Sequence, residues 1–468
     1  MFGGIIMAIA ELVLFWCGSI YKSSPDLSSF LFYVGLGFMI AGNGFFKPNI
    51  SSMVGQLYQP NDKRSDSAYT IFYMGINVGG MVGPFICGLV GDTGDPDDFK
   101  WGFLTGSIAM IISVVTMYIL KDKYLVSPEN KPIGIVPEAM LNSNSPIKKI
   151  LSLPVVLGIV GLAAASMGLL YVHGKKIFDL SYLMLIALGL ILYIIFSDKS
   201  LNKVERQRII AIFVVSFFVV FFWSAFEQAG ASLSFFAAEQ TKLNIDFLNY
   251  SIPPSWFQSL NSFFVVVFAP VFAWIWIRLG RKNLEPSSPL KMALGLFLLT
   301  LGYFWIAFGV KDVQPQIKVS MIWLTGMYAL HSWGELCLSP IGLSLVNKLA
   351  PLRFASLLMA VWFMANAAAN ILAGKLSALY PPGPAEVLKA KNANIDLQGI
   401  LDNKVAVTQE LATKLNELEI PFRYSSFLGF QIHNLYEFFM LFVVMSGIAS
   451  ITLFFLVKWL QKMMHGMK

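Results

Sequence analysis

Residues 40–55 read Ile40-Ala-Gly42-Asn-Gly44-Phe-Phe-Lys47-Pro48-Asn-Ile-Ser-Ser-Met-Val-Gly55. Apolar residues surround Lys47 on both sides. A lysine near the middle of a membrane helix costs roughly 3 kcal/mol on insertion scales. Pro48 follows it, and Gly42 and Gly44 precede it, so the helix is weakened beside the charge. Two readings are open: Lys47 faces a polar cavity, or it ends its span and snorkels to the headgroups.

The rest of the chain supports a membrane setting. Its 468 residues are 56% hydrophobic and 13% charged, against about 25% charged in soluble domains. The composition predicts an all-α polytopic membrane protein embedded in a lipid bilayer. Phe and Trp, 40 and 11 in number, suit lipid-facing and interfacial surfaces. Cys17, Cys87 and Cys337 lie in apolar runs without metal-ligand spacing and read as packing residues. No phosphate loop, HExxH, CxxC or paired-His motif occurs, so neither an enzyme nor a nucleotide-driven pump is indicated and no metal or cofactor is expected. The formal charge of +7 calls for no nucleic acid; loop topology accounts for it. No cleavable signal peptide is evident: a full-length span begins within two residues of Met1, with no basic segment before it.

A span needs about 20 apolar residues. About twelve candidates fit: 3–21, 29–54, 68–90, 101–120, 153–173, 180–197, 209–236, 255–277, 291–309, 319–346, 355–379 and 434–458. Lys and Arg crowd the loops 55–67, 121–152, 198–208, 278–290 and 347–354 and the C-terminal tail. The positive-inside rule places these in the cytoplasm. The long polar loop 380–433 then faces outward as a small excursion, not a domain, with a short amphipathic helix over Val405–Glu419. The basic turn Arg278-Leu279-Gly280-Arg281-Lys282 follows the second span of the last six. Such turns occur between the second and third spans of each half in major facilitator proteins. The expected parse is an incomplete four-helix N-terminal bundle (1–120), cytoplasmic linkers with an inserted helix hairpin (121–208), and a C-terminal six-helix bundle (209–468). The front bundle is expected to lack its first two helices, as a fragment or a misplaced start would.

Several spans carry polar residues. In Trp223-Ser-Ala-Phe-Glu227-Gln228 the Trp and Glu share a helix face. A carboxylate in a bilayer is rare and usually lines a pathway or proton relay; that is favoured here over a structural carboxylate. Glu335 sits mid-span with Ser332 and Ser339 at i−3 and i+4, beside Gly334 and Pro340, and is read the same way. His331, one turn away, reads as a packed histidine. Tyr73 and Asn77 share a face ahead of Gly79, Gly80 and Gly83, which predict close helix approach. Gln258 and Asn261 are three apart; Trp362, Asn366 and Asn370 repeat every four. These amides either join helices or wall a pocket. Glu11 interrupts the first span and is read as non-functional.

Taken together, GNGFFKPNISSMVG (42–55), DKRSDSAYTIFYMGINVGGMVGPFICG (62–88), FWSAFEQ, WFQSLN, GELCLSPIGLSLVNKLAP and the Trp362–Asn366 stretch resemble the proton-dependent oligopeptide transporter family of the major facilitator superfamily. Gly80 stands where many members have Ser or Ala. The resemblance implies a major facilitator fold of two helical bundles with an inserted hairpin. It implies a symporter of the inner membrane that couples proton entry to uptake of di- and tripeptides, with protons as coupling ion and no cofactor. By motif, Lys47 belongs to proton coupling and the peptide carboxylate. Tyr73, Asn77, Trp256, Gln258 and Asn261 line the peptide site. Glu227 takes part in proton coupling, and Glu335 with Ser339 meets the peptide's amino terminus, Glu335 also sharing in coupling. Trp362 and Asn366 wall a side-chain pocket. A monomer is expected. Alternatives are a relative moving nitrate or another small solute, and a non-transporting scaffold or receptor on the same fold.

Overall fold

The computed structural model describes residues 1–57, 64–128, 133, 164, 168, 171–172, 181–198, 201–246, 249–314, 317–351 and 354–466. They form two compact units, Met1–Leu180 and Ser181–Lys468. The boundary falls inside the segment expected to hold the inserted hairpin. Most of the expected span 153–173, most of the linker 121–152 and part of the loop 55–67 lie outside the described residues. Among the described residues nine helices are long and apolar enough to cross a membrane.

The first unit holds α1 (Phe2–Ile20), α2 (Pro25–Gln56), α3 (Arg64–Gly91) and α4 (Phe99–Tyr124). The short link between α1 and α2 makes them antiparallel neighbours, and α4 packs on α1. A methyl added at Gly3 would lie 2.7 Å from the Gly42 carbonyl. Gly42 is therefore where α2 meets α1, and α2 continues through Pro48. A methyl at Gly91 would lie 2.9 Å from the Gly102 nitrogen, which sets the α3–α4 crossing. Gly79 and Gly83, expected to serve that purpose, have no described atom within 4 Å of such a methyl. Buried Ser107 donates to the Ala8 carbonyl at 3.0 Å, stitching α4 to α1. Outside the membrane Lys22 and Tyr21 bind Asp97. Hydrogen bonds from Lys22 and then Tyr21 hold the Asp97 carboxyl below its ordinary range.

The second unit opens with α5 (Ser181–Ser197), then α6 (Lys203–Phe226), α7 (Trp256–Arg281), α8 (Ser288–Val310), α9 (Met321–Leu349) and α10 (Ala355–Ser377). An Asn202–Glu205 capping box starts α6. The excursion contributes α11 (Pro384–Asn392), α12 (Leu397–Leu401) and α13 (Gln409–Glu417), and α14 (Leu435–Met463) closes the unit. The helix α8 packs between α9 and α14, α6 packs on α10 and α14, and α7 packs on α9. The core is aromatic: Tyr303 stacks on Phe442 at 4.7 Å, and Phe439 packs edge-on against Phe236. Hydroxyls stitch α14 to α8 through Thr300–Ser446 (2.8 Å) and Ser450 to the Ala293 carbonyl (3.0 Å). Among the described residues there are three two-stranded ribbons. They pair β1 (Thr241–Lys242) with β4 (Val319–Ser320) in parallel, β2 (Asn244–Ile245) with β3 (Tyr250–Ser251), and β5 (Ser425–Phe427) with β6 (Phe430–Ile432).

The loop 380–433 is more ordered than a polar excursion requires. Ala390, Leu397, Ile400, Leu401, Leu415 and Ile420 form a small core of their own. The amphipathic helix expected over Val405–Glu419 is α13, which buries Leu415.

Gly334 and Gly295 carry the α8–α9 crossing. A methyl at either lies 2.7 Å from the other's carbonyl oxygen, and backbone cannot swing aside as a side chain can. Gly334→Ala should cost about 1–3 kcal/mol through overpacking, read as a lower thermal unfolding midpoint in detergent. Gly79→Ala should leave the midpoint unchanged; equal midpoints for both variants would refute this packing account.

Candidate functional site

The helix α9 has 29 residues, long enough to span, yet it is not among the nine most apolar. His331, Ser332 and Glu335 interrupt its middle turns. Hydrocarbon supplies no hydrogen bonds, so each polar group there needs a protein partner or a wet cavity.

Glu335 has such a partner. The Asn261 side-chain amide on α7 donates to Glu335 Oε2 at 2.9 Å and to Ser332 Oγ at 3.1 Å. The Ser332 hydroxyl donates to the Tyr328 carbonyl at 2.7 Å. This order is self-consistent: the two amide hydrogens face the carboxylate and the serine oxygen, since an amide oxygen turned toward a carboxylate would repel it. Ser332 is fully buried and Glu335 half-buried. Glu335 Oε1 accepts no hydrogen bond among the described residues, so the carboxylate keeps acceptor capacity for a cationic group. Glu227 lies within electrostatic range of Glu335.

Glu227 stands where α6 breaks. It opens a 3-10 turn, Glu227–Gly230, followed by a helical turn Ser232–Phe235 and a π-helical turn Phe236–Gln240. The break frees backbone carbonyls, and other elements take them up. The Tyr303 hydroxyl donates to the Ala225 carbonyl at 2.6 Å. Gln228, fully buried, donates to the Ser224 and Ala373 carbonyls at 3.2 and 3.0 Å and accepts from Ser232 at 2.6 Å. Neither Gln228 nor Tyr303 was singled out from sequence. A glutamine beside a glutamate in a phenylalanine-rich run was the available signal.

The other expected residues are placed as follows. Gln258 lies exposed on α7 and donates to Ser234 at 3.0 Å. Trp256 is the first residue of that helix and packs near Tyr250, ring centroids 6.0 Å apart. Ser339 is half-buried one turn beyond Glu335. Trp362 is buried on α10 against Gly342, where a methyl would meet its ring at 2.1 Å. The amides of Asn366, Asn370 and Asn77 donate to carbonyls of their own helices, Trp362, Asn366 and Tyr73, at 3.3, 3.0 and 3.0 Å. None of these three donations reaches another helix. Tyr73 and Asn77 lie on α3, and Lys47 belongs to α2, both in the first unit. His331 is buried, its ring 4.8 Å from Tyr303 and 6.2 Å from Phe226, a packed histidine as expected. Glu11 lies against Gly106 of α4, where an added methyl would stand 3.1 Å from its carboxyl carbon. The second unit therefore brings Asn261, Ser332 and Glu335 together, with Glu227 near.

The sequence profile of the POT family matches residues 1–392 of this chain. The chain belongs to the POT family. It is 33% identical over 380 residues to the peptide transporter YePEPT of Yersinia enterocolitica, covering 77% of this chain and 72% of that protein. It is 30% identical over 386 residues to a di-/tripeptide transporter of Lactococcus lactis, covering 81% of this chain and 73% of that one. Its fold superposes on a crystal structure of a peptide transporter POT in complex with sulfate with a TM-score of 0.69, at 26% identity, over 99% of this chain and 80% of that one. The chain is thus a multi-pass membrane transporter of the major facilitator fold, and family members are not enzymes.

The carbonyl that Tyr303 satisfies is buried. The Glu227 N–H also reaches that carbonyl, so Tyr303→Phe should cost about 0.5–1.5 kcal/mol by removing one of its hydrogen bonds, and Gln228→Leu should cost at least as much. Thermal unfolding in detergent reads both; an unchanged midpoint for Tyr303→Phe would show that the break does not depend on this bond.

Proposed function

We propose that the chain imports di- and tripeptides together with protons, by alternating access of two helical bundles. The observation that carries this is Glu335, a membrane-embedded carboxylate held by Asn261 with acceptor capacity to spare. A peptide presents an ammonium group, and a half-satisfied carboxylate is its natural partner. Nitrate has no group to place there. The chain's likeness to peptide and di-/tripeptide transporters supports the same substrate class.

The residue roles are part of the proposal. Glu335, with Ser339 a turn beyond, takes the peptide amino terminus, and Asn261 holds that carboxylate and meets the peptide backbone. Trp256, Gln258, Tyr73 and Asn77 line the substrate path, and Trp362 with Asn366 walls a side-chain pocket. Lys47 is assigned the peptide carboxylate and a share of proton coupling on its charge and motif. Glu227, at the α6 break and within range of Glu335, is assigned coupling as well. Residues 1–120 form the N-terminal bundle, 121–208 the linkers and inserted hairpin, and 209–468 the C-terminal bundle. The basic loops and C-terminus face the cytoplasm from the inner membrane, and the excursion 380–433 faces outward. Each chain carries both bundles, so a monomer suffices.

Purified protein in liposomes should accumulate labelled dialanine when a proton gradient is imposed, acid outside. Glu335→Gln should abolish that accumulation while the protein still folds. Acetylating the peptide's amino group should weaken its competition about ten- to a hundredfold, the worth of one charge-assisted contact. Equal competition by acetylated and free peptide would refute the role of Glu335; absence of proton-driven uptake would refute the symport.

A further inference from the structure

The excursion encloses a second polar place. A cavity of about 540 Å³ opens between α11, α12 and the loop bearing Gln314, bounded by Tyr424 and His433. Its volume falls in the range of small-molecule sites, about 300–1,000 Å³. Most of its lining lies beyond residue 392, where the family match ends.

Both charge signs face this cavity. Lys391 lines one side, and its ammonium makes no ion pair among the described residues. Lys404 and Lys414, also in the excursion, are engaged by Asp402 and by the Ala393 carbonyl. Asp396 also lines the cavity. One of its oxygens caps α12 by accepting from Gly399 N at 3.0 Å. The other accepts no hydrogen bond among the described residues. Val387 and Ile395 supply an apolar floor.

The polar wall is held in place before any ligand arrives. The Tyr424 hydroxyl accepts from Gln398 Nε2 at 3.1 Å and lies 3.4 Å from Asp402 Oδ1. Its ring packs edge-on against His433 at 4.6 Å, and the His433 Nδ1 lies 2.9 Å from Glu437. The small core beneath α11 and α12 fixes the two helices that carry the charges. Such preorganisation lowers the cost of binding.

A simple anion would meet Asp396, and a simple cation would meet Lys391. A ligand carrying both charges beside an apolar side chain satisfies the whole lining. We propose that this cavity is a second, outward binding site for small zwitterionic peptides, with Lys391 taking the carboxylate and Asp396 the ammonium group. The proposal rests on peptide import as the chain's activity. The site would hold peptide at the outer face of the unit, apart from Glu335.

Calorimetric titration of the full chain in lipid nanodiscs with the dipeptide Ala-Phe tests it. Two peptides should bind per chain, and Glu335→Gln should leave one. Lys391→Gln, or that change combined with Asp396→Asn, should also leave one; asparagine keeps the capping oxygen, and Lys391 is exposed, so folding is preserved. The same variants should raise the half-saturating peptide concentration for uptake about tenfold, as loss of one charge-assisted contact does, with the maximal rate unchanged. One site per chain in the unmodified protein, or two in the Lys391→Gln variant, would overturn the proposal. One site together with uptake that Glu335→Gln abolishes rejects the outer site and leaves import standing. No uptake, together with a site lost in Lys391→Gln, keeps the outer site and rejects import.

Discussion

The bond from the Asn261 amide to Glu335 is the constraint around which the second unit is arranged. A carboxylate inside a bilayer cannot borrow water freely, so the fold must supply a donor at a fixed place. That fixes α7 against α9, because donor and acceptor sit on different helices. It also explains the small residues behind the carboxylate. Gly334 touches Gly295 backbone to backbone, so α8 backs α9 closely and holds the Glu335 turn. Ser332 adds a second acceptor for the same amide and anchors itself on the Tyr328 carbonyl. Three polar residues thus satisfy one another, with one carboxylate oxygen left over.

The break in α6 follows the same logic from the backbone side. A helix that stops hydrogen bonding to itself inside a membrane exposes carbonyls that must be met elsewhere. Tyr303 from α8 donates to the Ala225 carbonyl and Gln228 donates to the Ser224 carbonyl, while a second Gln228 hydrogen ties the break to the Ala373 carbonyl of α10. Glu227 is consequently held at a turn whose geometry depends on two neighbouring helices. A shift of α10 or α8 relative to α6 would disturb the bonds beside Glu227 first. The break therefore ties the position of a carboxylate to helix packing.

The long helices were legible in the sequence because membrane spans announce themselves by length and apolarity; the expected spans that fall on described residues are helical over most of their length, with 209–236 broken at Glu227–Gly230 and 319–346 starting in β4. The carboxylates were legible too, as charges out of place. Partners were not. Nothing in WFQSLN shows that Asn261 rather than Gln258 faces Glu335; a register of three residues on a helix decides it, and the neighbour's position fixes that register. The glycines mislead for a related reason. GGMVG in α3 looks like a packing cluster, yet the close backbone contacts in that unit fall elsewhere, at Gly3 with Gly42 and at Gly91 with Gly102. Sequence shows where a helix could approach, while the crossing point depends on which faces meet. Asn77 and Asn366 turn their amides to their own helices, a local option that spacing alone cannot separate from contact with a neighbour.

In the proposed roles one carboxylate serves both proton and peptide, and that gives a physical route to coupling. Glu335 cannot hold a covalent proton and a peptide ammonium on equal terms, because the ion pair needs the anion. Peptide binding therefore favours the deprotonated carboxylate, and by linkage deprotonation favours peptide. In the proposed scheme Glu227, within electrostatic range, is the second proton acceptor that such an exchange requires. A proton leaving Glu335 as peptide arrives has a carboxylate nearby at the α6 break, where its arrival alters the charge beside Gln228 and Tyr303. Substrate chemistry and helix packing then meet at adjacent residues, and protonation can bias the conformational equilibrium without a dedicated cofactor.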